Sequence, residues 1–293
     1  MTQRSMSGLP DGPGTTTVGP TSFRWGTRTF VMGILNVTPD SFSGDGLLGE
    51  GAGHDVVALA RSMAEAGADV LDLGGESTRP GHSAVATSEE IARVVPAIRA
   101  VRAALPTMPI SVDTTKVDVA AAAIKAGADL INDVWGVGDD EAMVRLAAER
   151  RVPIVLMHNR AEARYTNLIP EIVADLQRAI ERALRVGIDW DDILIDPGFG
   201  FGKTAEHNLV LLRELPTLAL LGRPILLGTS RKSTLGRVLD LPADQRLEAT
   251  LATTALAIAA GVDIVRVHDV RENVRVARMA DAVVRGTWQE GEG

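Results

Sequence analysis

The chain has 293 residues, a formal net charge of −8, no cysteine, 45% hydrophobic residues and only 3% aromatic residues. The lack of cysteine excludes disulfides, thiolate nucleophiles and cysteine-ligated zinc, and the negative charge without a Lys/Arg cluster argues against nucleic-acid binding. No apolar run reaches the roughly 18 residues of a membrane-spanning helix, so no membrane partner is expected.

The start of the chain is rich in Gly, Pro, Ser and Thr and lacks the continuous apolar stretch of a signal peptide. We interpret residues 1–21 as a disordered tail. Residues 22–288 are expected to form one domain, and residues 289–293 a short C-terminal tail. Because nothing indicates an oxidising compartment, the expected location is the cytoplasm.

Four similar tetrapeptides mark the boundaries between helical and strand patterns: Ala66–Asp69, Ala126–Asp129, Val186–Asp189 and Ala260–Asp263. Each follows an Ala-rich helical stretch and precedes an apolar run, so its glycine is predicted to be a left-handed helix cap.

The apolar runs predict eight strands. They lie near residues 31–35, 69–73, 109–112, 129–132, 153–157, 192–195, 225–228 and 263–267. Eight strands alternating with helices predict an α/β fold, a single-domain (β/α)8 TIM barrel. An open, doubly wound parallel sheet is the alternative.

The loop after the first predicted strand, Asn36–Gly46, is polar and glycine-rich. It exceeds the usual connection of about 2–6 residues and contains a proline, an aromatic and a carboxylate that no helix start requires. This loop indicates a binding site at the carboxyl end of the strand.

Polar or glycine-rich groups follow almost every predicted strand, and on a barrel they meet at one mouth. They are Asn36, Gly74–Gly81, Asp113, Asn132–Asp133, His158, Asp196–Lys203, Gly228–Ser233, Arg266 and His268. Taken singly, Asp113 and Asn132 could be helix caps and His158 a satisfied core histidine. Together, Asp113, Asn132, Asp196 and Lys232 would be costly to desolvate without a polar ligand.

These residue types suit a flat heterocycle with amide and amino edges. The Asp196 carboxylate can accept two parallel hydrogen bonds, Asn132 can donate and accept, and Lys232 can donate to a ring carbonyl. Asn36, Arg266 and His268, beside glycine-rich loops, suit a phosphate or diphosphate with a divalent, oxygen-bound metal. The sequence therefore predicts one pocket for a heterocycle and an anion.

At these residues the chain resembles the dihydropteroate synthase family, the folate-pathway enzymes that sulfonamides inhibit. The resemblance extends from Phe23 to the last predicted helix. It rests on six motifs in order: Met32–Ser43, Gly74–Gly81, Ile131–Asp133, Asp196–Lys203, Ser230–Lys232 and Arg266–His268.

The resemblance implies a transferase that condenses 6-hydroxymethyl-7,8-dihydropterin diphosphate with p-aminobenzoate, uses Mg²⁺ and forms a homodimer. The implied pterin-binding residues are Asp113, Asn132, Asp196, Phe201 and Lys232. Those implied for the diphosphate are Asn36, Arg266 and His268, with Asn36 as the Mg²⁺ ligand. The implied p-aminobenzoate and loop residues are Pro39, Phe42, Thr78, Arg79, Pro80 and Ser233. The groups expected to act on the reacting atoms are Asp113, Lys232, Arg266 and His268.

Two other functions stay open from the sequence. A methyltetrahydrofolate-binding methyltransferase that serves a corrinoid protein resembles the synthases in barrel and pterin-binding residues, but it does not need the Asn36–Phe42 loop or the Ser230–Lys232 run. A pterin-binding protein without catalysis is the other.

The chain departs from the family at Thr234, where an aromatic is frequent, and at the Gly44–Asp45 order of the first loop. Lysine occurs only at positions 116, 125, 203 and 232, and the last two fall in the predicted site loops.

Overall fold

The computed structural model describes residues 14–37, 52–76, 85–138 and 140–288. A hairpin of β1 (Thr15–Val18) and β2 (Thr21–Arg24) precedes a sheet of eight parallel strands. These are β3 (Phe30–Asn36), β4 (Val70–Gly74), β5 (Ile110–Asp113), β6 (Leu130–Asp133), β7 (Ile154–Met157), β8 (Ile193–Asp196), β9 (Leu226–Leu227) and β10 (Ile264–Val267).

The sheet closes on itself. Its strands pair in the order β8, β7, β6, β5, β4, β3, β10, β9. An isolated parallel bridge between Ile195 and Ile225 joins the two ends, and the Ile195 N–H donates to the Pro224 carbonyl at 3.0 Å. The TIM barrel is therefore confirmed, and the open sheet was wrong.

Helices cover the outside of the barrel, and the Ala, Val, Leu, Ile and Met side chains between sheet and helices form the larger core. They are α1 (Ala52–Glu65), α2 (Thr87–Ala104), α3 (Val117–Ala126), α4 (Ala142–Arg150), α5 (Leu168–Arg185), α6 (Ala205–Arg213), α7 (Ser233–Leu239), α8 (Leu247–Ala259) and α9 (Val270–Val284). Short 3-10 helices span Trp190–Asp192, Leu215–Leu221 and Ala243–Gln245. Within the described ranges, no helix combines the length and apolar character needed to cross a membrane.

All eight predicted strands form within two residues of their expected positions. The predicted glycine caps are confirmed as well, because the φ angles of Gly67, Gly127, Gly187 and Gly261 are 98°, 120°, 99° and 92°. A side chain at such an angle would be strained, which is why glycine stands there.

The expected tail of residues 1–21 was wrong for residues 14–21, which belong to the β1–β2 hairpin. This hairpin covers the amino end of the barrel, where Val18, Phe23 and Trp25 pack with inward-facing residues of the strands such as Met32 and Leu194. A polar, threonine-rich segment is ordered here because its alternate residues are buried. Residues 1–13 and 289–293 lie outside the described residues.

Three of the tetrapeptide aspartates bind the strands at this amino end. The carboxylates of Asp69, Asp129 and Asp263 accept the backbone N–H groups of Val31, Ile110 and Ile225 at 2.8, 2.9 and 3.0 Å. Arg28 and Arg102 pair with the carboxylates of Asp69 and Asp129. The carboxylates thus satisfy backbone donors at the start of the sheet.

Candidate active site

A buried cluster of charges lies at the carboxyl ends of the strands. Arg266, on β10, donates from Nε to Asp72 Oδ2 at 2.5 Å and from Nη2 to Asp113 Oδ2 at 2.6 Å. Asn132 donates from Nδ2 to the same Asp72 oxygen at 3.2 Å. One guanidinium therefore joins two neighbouring strands and pairs with a carboxylate of each, in a site where unpaired charge would be costly.

Two oxygens of this cluster have unused hydrogen-bonding capacity. Within the described part of the chain, Asp72 Oδ1 and Asp113 Oδ1 are buried and have no hydrogen-bond partner. Burial raises the pKa of Asp113 to about 7, although the Arg266 charge opposes the shift. An unsatisfied buried acceptor costs roughly 1–3 kcal/mol. A ligand N–H group at Asp113 would therefore be stabilising.

Asp196 and Lys232 form the next part of the mouth. Asp196 ends β8 and accepts the Gly198 N–H at 2.7 Å. Lys232 directly precedes α7, donates to the Phe199 carbonyl, and places Nζ 4.4 Å from the centroid of the Phe201 ring. Burial raises the pKa of Asp196 although Lys232 opposes it, and burial lowers the pKa of Lys232 to about 8.

Ser230 orients His268. The Ser230 hydroxyl accepts the His268 backbone N–H at 3.2 Å and lies 3.0 Å from His268 Nδ1. These two contacts fix the orientation of the imidazole relative to the Ser230 hydroxyl. Ser233, the first residue of α7, is exposed.

Asn36 ends β3 in register with Gly74 and is partly exposed. No group of three or more His, Asp or Glu side chains that could hold a metal occurs in the described ranges. The loop residues Pro39, Phe42, Thr78, Arg79 and Pro80 lie outside the described residues.

The two described ends of the loop after β4 are joined by a charged network. Glu76 accepts the Val85 N–H at 3.0 Å and pairs with Lys116. Lys116 also pairs with the buried Glu90 at 2.5 Å, and Glu90 accepts the Thr114 hydroxyl at 2.7 Å. Since Thr114 follows Asp113, this network connects the base of the loop with the charged cluster.

Sequence reasoning missed Asp72, although a carboxylate inside the apolar run of β4 is a signal that a buried cation must balance it. Thr234, where the chain departs from the family, accepts a hydrogen bond from Asn208 at 2.8 Å. His158 proves to be a satisfied core histidine, fully buried and 3.2 Å from Asp175. Asp113, Asn132, Asp196, Lys232, Arg266 and His268 all lie at or next to the carboxyl ends of the strands, as predicted.

Comparison with known proteins places this arrangement in a family. The family model described as pterin binding enzyme matches residues 32–268. Dihydropteroate synthase of Bacillus subtilis is 49% identical over 266 residues, which are 90% of this chain and 92% of the relative. That of Clostridium beijerinckii is also 49% identical, over 92% of this chain and 99% of its own.

Solved structures agree. Dihydropteroate synthase from Clostridium difficile, crystallised in the presence of pteroic acid, superposes with a TM-score of 0.86 at 48% identity, covering 90% of this chain and 99% of its own. The Xanthomonas albilineans synthase with 4-aminobenzoic acid superposes with a TM-score of 0.87 at 41% identity, covering 93% and 98%.

Proposed function

The chain belongs to the pterin-binding enzyme family as a dihydropteroate synthase, and on that premise we propose which groups carry out each part of its reaction. The enzyme is a transferase of folate biosynthesis. It condenses 6-hydroxymethyl-7,8-dihydropterin diphosphate with p-aminobenzoate to give 7,8-dihydropteroate and diphosphate.

One observation supports the pterin assignment most directly: a buried Asp113 oxygen without a partner in the described structure, held beside Arg266. Ring N–H groups of the pterin donate to Asp113 and Asp196, and Asn132 binds the edge between them. Lys232 donates to the ring carbonyl, and the Phe201 ring packs on the face of the heterocycle. Burial of these groups strengthens each hydrogen bond.

Arg266 and His268 bind the diphosphate. The bonds of Arg266 to Asp72 and Asp113 use Nε and Nη2, so Nη1 is the group that meets the anion. Burial opposes its charge, but the Asp72 and Asp113 carboxylates hold the pKa of Arg266 above its ordinary value. A permanent cation beside the leaving group stabilises the charge that develops on it.

The donors present fit Mg²⁺ beside a phosphate substrate. Asn36 supplies one hard oxygen, and Mg²⁺ at such sites takes most other ligands from phosphate and water. When bound, the ion neutralises diphosphate charge. The described residues contribute the rest: they hold the pterin, orient the leaving group and keep Arg266 charged.

No strong nucleophile or general base is required among the protein groups. As the diphosphate departs, the electron-rich dihydropterin stabilises positive charge on its methylene carbon, and the Asp113 carboxylate adds favourable electrostatics. The arylamine nitrogen then attacks that carbon, and its proton passes to solvent. Rate therefore comes from positioning and charge stabilisation.

For p-aminobenzoate, the resemblance supports a site formed by Pro39, Phe42, Thr78, Arg79 and Pro80, with the Ser233 hydroxyl for the carboxylate.

We propose a cytoplasmic homodimer as well. Leu256 on α8 and Met279 and Val283 on α9 are 62%, 66% and 73% exposed, as suits an apolar interface. Sedimentation of Val283→Glu would give a monomer, whereas an unchanged dimer would contradict this interface.

The proposed function is tested by measuring dihydropteroate formation from the pterin diphosphate and labelled p-aminobenzoate, with and without Mg²⁺. We expect Mg²⁺-dependent product with the native chain and a loss of about 100-fold or more with Lys232→Ala. Lys125→Ala, on the exposed surface of α3, is the control. Ligand binding without turnover would instead favour a non-catalytic pterin-binding protein.

A further inference from the structure

Lys203 makes three hydrogen bonds in the loop between β8 and α6. Its Nζ lies 3.0 Å from His158 Nδ1, 3.0 Å from the Gly198 carbonyl and 3.1 Å from the Phe201 carbonyl. An ammonium group has three protons and no acceptor, so three acceptors match it fully. These bonds go to the protein itself, and the reaction as derived above gives Lys203 no part.

The loop that Lys203 binds has a backbone only glycine tolerates. Gly198 and Gly202 have φ angles of 71° and 52°. A Cβ at Gly198 would lie 1.8 Å from the His158 carbonyl oxygen, and one at Gly202 would lie 2.3 Å from that of Arg160. The glycines permit close packing, but they also give the unbound loop many other conformations. Another contact must therefore stabilise the loop conformation that the structure shows.

The turn from Gly198 to Phe201 contains or contacts the groups that we propose bind the pterin. The Gly198 N–H donates to Asp196, and the Phe199 carbonyl accepts from Lys232. The Phe201 ring also lies beside the Lys232 ammonium. By binding carbonyls 198 and 201, Lys203 holds both ends of the segment that positions Asp196, Phe201 and Lys232.

The third acceptor of Lys203 is His158 Nδ1, and the other contacts of the ring hold it in place. Burial lowers the pKa of Lys203 to about 7; in the charged form its ammonium donates to Nδ1, which leaves the ring proton on Nε2, 3.2 Å from Asp175. Asp175 is held in turn by Arg160 at 2.8 Å. Burial lowers the pKa of His158 to about 3, with the Lys203 charge adding to the effect, so the imidazole stays a neutral acceptor.

We propose that Lys203 is a positioning residue for the pterin: it fixes the 198–201 turn, with His158 as its orienting partner, and so sets the places of Phe201 and Lys232. This inference rests on the proposed function for the identity of the ligand. It assigns a role to a lysine that touches neither substrate.

The test measures binding of 6-hydroxymethyl-7,8-dihydropterin by calorimetry, and the KM of each substrate, for Lys203→Met. We expect the dihydropterin Kd to rise about tenfold or more. The p-aminobenzoate KM should stay within about twofold, because that substrate is not bound by the turn. Lys125→Met, which removes an exposed lysine, should change neither value.

Chemical rescue separates positioning from general damage. Since the chain has no cysteine, Lys203→Cys carries a unique thiol that can be alkylated in denaturant before refolding. Bromoethylamine rebuilds a side chain of lysine length with an ammonium, whereas bromopropane builds the same shape without one. The aminoethyl protein should recover most of the pterin affinity and the propyl protein should not. This comparison holds even if Lys203→Met fails to fold.

Three results would overturn the inference: an unchanged dihydropterin Kd in Lys203→Met, an equal rise in the p-aminobenzoate KM, or equal pterin affinity in the two alkylated proteins. A failure of the proposed function looks different. In that case the native chain would bind dihydropterin without forming dihydropteroate, while the dependence of binding on Lys203 would persist.

Discussion

The two ends of the barrel use aspartate in opposite ways. At the amino end, Asp69 and Asp129 each accept a backbone N–H and pair with an arginine. At the carboxyl end, Asp72 and Asp113 share one arginine and each keeps a buried oxygen without a partner in the described structure. The first arrangement is complete without a ligand, and the second is not. We propose that the aspartates at the amino end serve stability and that those at the carboxyl end bind substrate.

The largest expected effect is a loss of turnover when an aspartate at the carboxyl end is changed. Asp113→Asn should lower kcat/KM by roughly 100- to 1000-fold, because it removes the negative charge and replaces one of the two carboxylate acceptors with an NH2 donor. The folded state should persist, since Asp72 still balances Arg266. Steady-state kinetics with both substrates, beside circular dichroism, measures this. Activity within fivefold of the native value would contradict the role of Asp113.

Changing an aspartate at the amino end should instead lower stability. Asp129→Ala should lower the free energy of unfolding by about 2–3 kcal/mol, since the Ile110 N–H loses its acceptor and Arg102 loses its carboxylate partner. Below the unfolding transition, kcat/KM should stay within about twofold. Urea unfolding and kinetics on the same sample test both parts. A large loss of turnover in a stable Asp129→Ala protein would remove the distinction between the two ends.

A smaller effect sharpens the comparison through pH. Burial raises the pKa of Asp113 from 3.8 to about 7, so between these values the folded chain holds a proton that the unfolded chain has lost. Stability of the ligand-free protein should therefore fall as pH rises from about 4 to 7. In Asp113→Asn the fall should be shallower by roughly 2 kcal/mol. Urea unfolding at pH 4.5 and 7 measures it, and parallel curves would contradict the raised pKa.

The smallest effect concerns how the carboxyl end is joined to its loop. Lys116→Met should raise the p-aminobenzoate KM about tenfold, because Glu76 and Glu90 lose the cation that joins the loop ends to α2 and β5. Dihydropterin affinity should stay within about twofold. Lys125→Met is the matched control. Equal changes for both substrates would show that the network serves overall stability instead.

The sequence revealed more of the barrel than of its site. Strands and caps were predictable because apolar periodicity and glycines such as Gly67 act locally. The β1–β2 hairpin was not, because the order of Thr15–Val18 depends on packing against strands far along the chain. The Asp72–Arg266 pair spans 194 positions and the Lys203–His158 contact spans 45. Residue types indicate the chemistry, but only the closed barrel shows which groups meet.

A crystal structure with bound 6-hydroxymethyl-7,8-dihydropterin tests the central claim most directly. We predict a ring N–H of the pterin within about 3.2 Å of Asp113 Oδ1, with Asp72 still paired to Arg266 and the amino-end aspartates unchanged. A pterin bound elsewhere, with Asp113 Oδ1 still unpartnered, would contradict the account.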